Sequence, residues 1–167
     1  MKPDAASSSE ITQYLTFTLS QEIFAVEIFR VKEVLEYKPL TKIPNTPMFM
    51  RGIINLRGKV VPVIDMRTKL GMEEVERTVN TCIIIVEVES RGEMAVFGAI
   101  VDSVREVMEL GPSQIEPAPK IGTNLNTDFI RGMGKQGDQF IILLNTDTLF
   151  SADEMGQLSG MDGMMAA

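Results

Sequence analysis

Two stretches of this chain carry the same design, and a chain built that way has few folds open to it. The first copy reads FAVEIFRVKEVL over Phe24–Leu35, NTPMFMRG over Asn45–Gly52 and KVVPVIDMRTKL over Lys59–Leu70. The second reads FGAIVDSVREVM over Phe97–Met108, NTDFIRG over Asn126–Gly132 and QFIILLNTDTLF over Gln139–Phe150. The step from Arg51 to its counterpart Arg131 is longer by seven positions than the step from Phe24 to Phe97, so the second copy carries an insertion of that size. A half of this size is at the margin of what one hydrophobic core can hold. Two related halves packed together hold more, and the seam between them is a natural place for a partner to bind.

The pattern within each copy is that of strands. From Gln13, Leu15, Phe17 and Leu19 alternate with Tyr14, Thr16 and Thr18, which predicts a half-buried strand. Further strands are expected at Ile23–Val26, Val31–Tyr37, Gly52–Leu56 and Lys59–Met66, the last two joined by a tight turn at Arg57-Gly58. Pro62 points to an edge or bulge position in its strand. The second half predicts strands at Thr81–Glu89, Met94–Val101, Val104–Leu110 and Phe140–Leu144. Thr46 as N-cap with Pro47 behind it predicts a helical turn over Pro47–Arg51. A matching turn is expected over Asp128–Arg131, and Ser151-Ala152-Asp153-Glu154 reads as the cap of a short closing helix. Short strands between Gly and Pro turns argue for an all-β chain of two small barrels. The boundaries read as a tail over 1–11, a first barrel half over 12–72, a connector over 73–80, a second half over 81–150 and a helix with a frayed end over 151–167. A terminal strand could still pair with the opposite half.

The composition excludes more than it suggests. Net charge is −7 with no concentration of Lys or Arg, which argues against nucleic acid or an anionic membrane as partner. The longest apolar stretch, Met94–Val101, is too short to span a bilayer, and MKPDAASSSE has no apolar signal region; a cytoplasmic protein without membrane insertion is expected. With no histidine there is no imidazole base and no usual zinc or iron site. The single cysteine, Cys82, reads as a small buried hydrophobe at the start of a strand.

Individual candidates for chemistry fall away in turn. Gly132-Met133-Gly134-Lys135-Gln136-Gly137 matches G-x-G-x-x-G but runs into the strand FIILL rather than a helix, so it reads as a glycine-rich hairpin. Glu73, Glu74 and Glu76 share a connector with Arg77 and read as a solvated charge run. Asp102, Glu106 and Glu109 have no nucleophile beside them, and Ser103 without histidine makes no triad. Asp65 at the end of an apolar strand needs a cationic partner, for which Arg57 and Arg67 are the candidates. The twelve methionines read as core filling, with an adaptable apolar surface as the other reading. No catalytic residue, no metal site and no cofactor is expected.

The segment Arg51-Gly-Ile-Ile-Asn-Leu-Arg-Gly-Lys-Val-Val-Pro-Val-Ile-Asp-Met-Arg67 resembles the signature of the CheW family of chemotaxis coupling proteins. The likeness extends to Phe17-Thr-Leu, Val31-Lys-Glu-Val34, Ile43-Pro-Asn-Thr-Pro47, Gly98-Ala-Ile-Val-Asp-Ser-Val104 and Ile115-Glu-Pro-Ala-Pro119, and covers roughly residues 13–150. The resemblance implies two pseudo-symmetric, intertwined five-stranded SH3-like barrels with short helical turns. It implies a non-catalytic adaptor that joins the cytoplasmic tip of a chemoreceptor helical hairpin to the regulatory domain of the histidine kinase CheA and helps organise receptor arrays.

By the same resemblance, Val31, Glu33, Gly52, Arg57, Ile83 and Val107 are the expected receptor contacts. Leu15, Ile28 and Val31 are the expected kinase contacts, and Glu116 and Ile121 belong to a ring-forming loop. At Glu116 the chain departs from family members with a basic residue there. Arg57 could instead brace the barrels against each other, and Val31, Ile83 and Val107 could be core strand residues. The same adaptor role in a pathway for surface motility or development, or a small binding barrel of another kind, remain as alternatives.

Overall fold

The structure is a computed structural model, and it describes residues 11–90, 92–117 and 129–149. The first three strands are β1 (Thr12–Leu19), β2 (Glu22–Glu27) and β3 (Val31–Glu36), with a 3-10 turn at Ile28–Arg30 before the third. Then follow β4 (Met50–Leu56) and β5 (Lys59–Asp65), which ends in one helical turn, Met66–Lys69. The second copy supplies β6 (Cys82–Ser90), β7 (Glu93–Val101), β8 (Ser103–Leu110), the short β9 (Ile115–Glu116), β10 (Ile130–Gln136) and β11 (Gln139–Leu144). Another helical turn, Thr146–Leu149, closes the described chain.

The strands form two sheets that do not follow the two sequence copies. One runs β8-β1-β2-β11-β10-β9 and the other β3-β6-β7-β5-β4. Each copy therefore lends its first two strands to the sheet completed by the other. The lent strands dock by parallel pairs in one register: Leu143 faces Ala25 and Val63 faces Gly98. These are the same pair, because Gly98 is the counterpart of Ala25 and Leu143 that of Val63. The repeat read from the sequence is thus a repeat of the fold, with its first hairpins exchanged.

Three cores result. Tyr14, Ala25, Met108, Leu110, Ile141 and Leu143 fill the six-stranded barrel. Ile54, Val61, Val63, Ile83 and Ile85 fill the five-stranded one. A larger layer between them joins Leu15, Phe17, Phe24 and Val26 to Ile64, Ile84, Val86 and Phe97. The predicted half-buried β1 is accordingly buried on both faces, Leu15 and Phe17 toward the shared layer and Tyr14 into its own barrel. Even Thr16 is buried, at a bulge where its hydroxyl donates to the Glu106 carbonyl (2.7 Å) and accepts the Glu106 N–H (3.1 Å). Alternation alone cannot distinguish a sheet covered once from one covered twice.

Two sequence expectations give way to the sheet. Pro47–Arg51 is not a helical turn: Met50 N–H donates to the Pro47 carbonyl (3.0 Å) in a single turn, and β4 starts at Met50. In the second copy the expected turn survives in part, since Phe129 is 3-10 helical, but Ile130 and Arg131 lie in β10; Asp128 and Ser151–Glu154 lie outside the described residues. Ladder bonds along a whole strand outweigh the weak preference of one capped turn. The helical turns sit instead after β5 and β11. Pro62 stands just before β5 begins to pair with β7 at Val63, so its missing N–H costs no bond on that edge. Cys82 does begin a strand, but it is half-buried and its thiol donates to the Asn80 carbonyl (3.2 Å).

Candidate functional site

The best candidate is a surface rather than a cleft, formed where the outer strands β3 and β8 border the shared core. Val31 and Val104 open these strands as counterparts in the repeat, and both pack on the margin of that core. One short step further along each strand, Val34 and Val107 stay 41% and 48% exposed. The repeated words VKEV and VREV therefore put the same apolar edge on both barrels. Sequence reasoning selects Val107 but not its twin Val34; the constant offset between the copies was the signal that could have found it.

Glu33 and Arg57 form a charged pair on the other face of β3: Glu33 stands opposite Ile85 of the five-stranded core, whereas Val34 stands opposite Ile84 of the shared core. Arg57 and Gly58 make the hairpin turn with positive φ (52° and 86°), and Asn55 Oδ1 accepts the Gly58 N–H at 2.8 Å. That turn delivers the Arg57 guanidinium to both Glu33 oxygens, the longer contact being 3.1 Å. The pair spans the two outer strands of the five-stranded sheet, because β3 and β4 stand at its opposite edges. Hydrogen bonding to Arg57 holds the Glu33 carboxyl below its ordinary range. Arg57 is solvent-exposed at 73% and lies within one barrel, so it does not brace the two barrels.

Gly52 lies beneath, at φ 154°. A Cβ there would come within 2.6 Å of the Thr41 carbonyl oxygen, so glycine is demanded by the backbone that closes the barrel. At its counterpart Gly132 a Cβ would meet the Glu116 carbonyl oxygen at 3.0 Å, a tight contact without the positive φ. Ile83 is fully buried in the five-stranded barrel, and Leu15 is 6% exposed in the shared layer. The side chain of Ile83 offers a partner no atom and that of Leu15 almost none; both support the surface from below. Ile28 is half-buried in the 3-10 turn, beside Phe29 at 67% exposure, which sequence reasoning does not select. Glu116 is exposed and pairs with Lys135 (2.9 Å), while Ile121 lies outside the described residues.

The buried charges are elsewhere. Asp65 caps the helical turn by accepting the Arg67 N–H (2.9 Å), and its charged partner is Arg51 (3.2 Å), neither Arg57 nor the Arg67 guanidinium. Arg51 also reaches Thr68 (3.0 Å) and Glu74 (2.9 Å). Arg67, 8% exposed, is bound to Asp102. A cavity of about 310 Å³ lies among these groups and the connector, lined by Arg51, Arg67, Asp65, Glu74 and Asp102. These five charged groups pair among themselves, Arg51 with Asp65 and Glu74 and Arg67 with Asp102, which reads as structure rather than a ligand pocket. Among the described residues no helix is long and apolar enough to cross a membrane.

A two-barrel β platform with apolar edges and self-satisfied charges is the class that this fold and surface define. The profile of the CheW-like domain matches residues 13–154, and the chain belongs to that family. The chemotaxis protein CheW of Klebsiella aerogenes is 38% identical over 143 residues, covering 86% of this chain and 84% of that one. The chemotaxis protein CheW of Rhizobium meliloti is 33% identical over 142 residues, covering 85% and 89%. The crystal structure of the scaffolding protein TtCheW from Thermoanaerobacter tengcongensis superposes with a TM-score of 0.74 at 40% identity, covering 84% of this chain and 88% of that one.

Proposed function

We propose that this chain is a non-catalytic adaptor that couples the cytoplasmic tip of a chemoreceptor to the histidine kinase CheA. In this reading it works in the cytoplasm at membrane-bound receptor arrays in chemotaxis signalling. The observation that carries this is the family match across residues 13–154, which spans both barrels and the seam together. The surfaces have the form such a role needs. Val31, Val34 and Val107 give the outer strands modest apolar edges fit for a helical hairpin, and the Glu33–Arg57 pair adds a charged group on the other face of β3. Ile28 and the exposed Phe29 make a separate apolar spot suited to the kinase domain, and Glu116, which ends β9, would take part in a ring contact. Patches of this size give reversible contacts, which is what a switchable assembly requires.

The test is reconstitution with a receptor cytoplasmic fragment and CheA. The chain should bind both and change kinase autophosphorylation in their joint presence. Ile28→Asp should weaken kinase binding while receptor binding holds. Failure to bind either partner would remove the adaptor reading.

A further inference from the structure

Arg67 sits where the two barrels meet, on the helical turn that follows β5. Its Nε and Nη2 donate to the two oxygens of Asp102 (2.9 and 2.6 Å), Nη2 also to Ser20 Oγ (2.7 Å), and Nη1 to the Glu73 carbonyl (2.9 Å). Asp102 occupies the crossover from β7 to β8, where the chain leaves one sheet for the other. Ser20, at φ 59°, turns the exchanged β1–β2 hairpin, and its N–H donates to Asp102 at 2.7 Å. The Asp102 N–H completes the knot by donating to the Thr18 carbonyl (3.1 Å). One guanidinium thus holds the end of the five-stranded sheet, the crossover and a hairpin of the six-stranded sheet.

The fold repeats this fastening with its charges reversed. Asp147 is the counterpart of Arg67 on the equivalent helical turn, and it pairs with Arg30 on the other crossover at 2.9 Å. The twin is a single-point contact between side chains 19% and 48% exposed, against 9% and 26% for Arg67 and Asp102. A buried two-point guanidinium–carboxylate pair is directional and strong, whereas an exposed single contact is worth little. The seam is therefore pinned on one side and weakly tied on the other.

We propose that Arg67 is a positioning residue that fixes the angle between the barrels, so that a partner seated across both barrels alters the affinity of the chain for a second partner. The coupling half of this rests on the adaptor reading; the angle does not. The two are separated by measuring both. Spin labels at Lys59→Cys and Gln139→Cys, in a Cys82→Ser background, report the distance between the barrels by double electron–electron resonance. Kinase-domain affinity is measured with and without the receptor fragment.

Arg67→Asp should broaden the distance distribution and lower the receptor–kinase coupling roughly fivefold or more, with the kinase domain's affinity in the absence of receptor kept. Arg67→Asp combined with Asp102→Arg should narrow the distribution again, since the Asp147–Arg30 twin already carries that polarity. If Arg67→Asp does not fold, Arg67→Lys keeps the charge without the fork and should broaden the distribution in a folded protein. A distribution unchanged from wild type in every folded Arg67 variant overturns the proposal. So does a folded double variant that stays broad. A narrow wild-type distribution that Arg67→Asp broadens, in a chain that binds neither partner, would keep the positioning role and discard the adaptor reading.

Discussion

Asp65 and Asn145 are counterparts in the repeat and cap the same helical turn. Asp65 Oδ1 accepts the Arg67 N–H at 2.9 Å, and Asn145 Oδ1 accepts the Asp147 N–H at 3.1 Å and the Thr148 N–H at 3.3 Å. Each also donates its own N–H, at 2.8 Å, to the carbonyl of an equivalent phenylalanine, Phe49 or Phe129. Loss of a cap costs about 1 kcal/mol. Asn145→Ala should therefore lower stability in urea by that amount. Asp65→Ala should cost more, because it also deprives Arg51 of its buried partner. Equal losses would mean that the Asp65–Arg51 pair adds nothing.

The Glu33–Arg57 pair is open to water and contributes little to holding the fold. Arg57→Asp should weaken receptor-fragment binding in a titration while the melting temperature stays close to wild type. A lowered melting temperature together with loss of both partners would assign Arg57 to the scaffold instead.

Gly52→Ala should behave in the opposite way. Its Cβ meets backbone, Thr41 O at 2.6 Å, and the φ of 154° already suits only glycine. A strained backbone of this kind costs on the order of 1–3 kcal/mol. The variant should melt lower and lose both partners in proportion; selective loss of the receptor fragment would instead support a direct contact at Gly52.

Lys69 carries its ammonium 4.4 Å from the Phe49 ring centre and 5.2 Å from that of Phe129. Burial lowers its amine from the ordinary lysine value to about 8. Between those two values the unfolded chain binds the proton that the folded chain has released, so this group makes stability rise with pH across that window. Below it both states are charged and the gain is absent. Side-chain amine NMR should place the Lys69 midpoint near the lowered value, and Lys69→Met should flatten stability across the same window. A Lys69 amine titrating with the exposed lysines would refute the burial argument.

Much of the strand order was legible because it is written locally. Alternation marks β1, the Arg57-Gly58 turn marks the β4–β5 hairpin, and the repeat announces the pairing of halves. The family resemblance implied intertwined barrels, but which hairpins are exchanged was not legible from the residues, since Ala25 and Gly98 look equally suited to either sheet. Nor was the division of the arginines. Arg57 stands in the family signature and drew attention, yet it is Arg67 that is buried against a carboxylate. Which arginine meets Asp102 depends on a contact between segments far apart in the chain, and no spacing rule reports that. Val31 and Val107 read equally well at the surface or in the core; the structure sets Val31 at the margin of the shared core and leaves Val107 exposed.

The exchanged hairpin also sets an order of events for the nascent chain. Strands β3 to β7 are all made once Val101 has emerged, and the five-stranded barrel can then close. The β1–β2 hairpin leaves the ribosome first, yet the edge of β2 that carries Ala25 has no partner until Leu143 arrives. Until β11 is made, Phe24, Ala25 and Val26 thus lie on an open apolar edge, the kind that invites pairing with other chains. Delay before Leu143 is made should expose this edge longest, and a chaperone at the ribosome exit would be expected to hold it there. The strands that come first are the last to be covered.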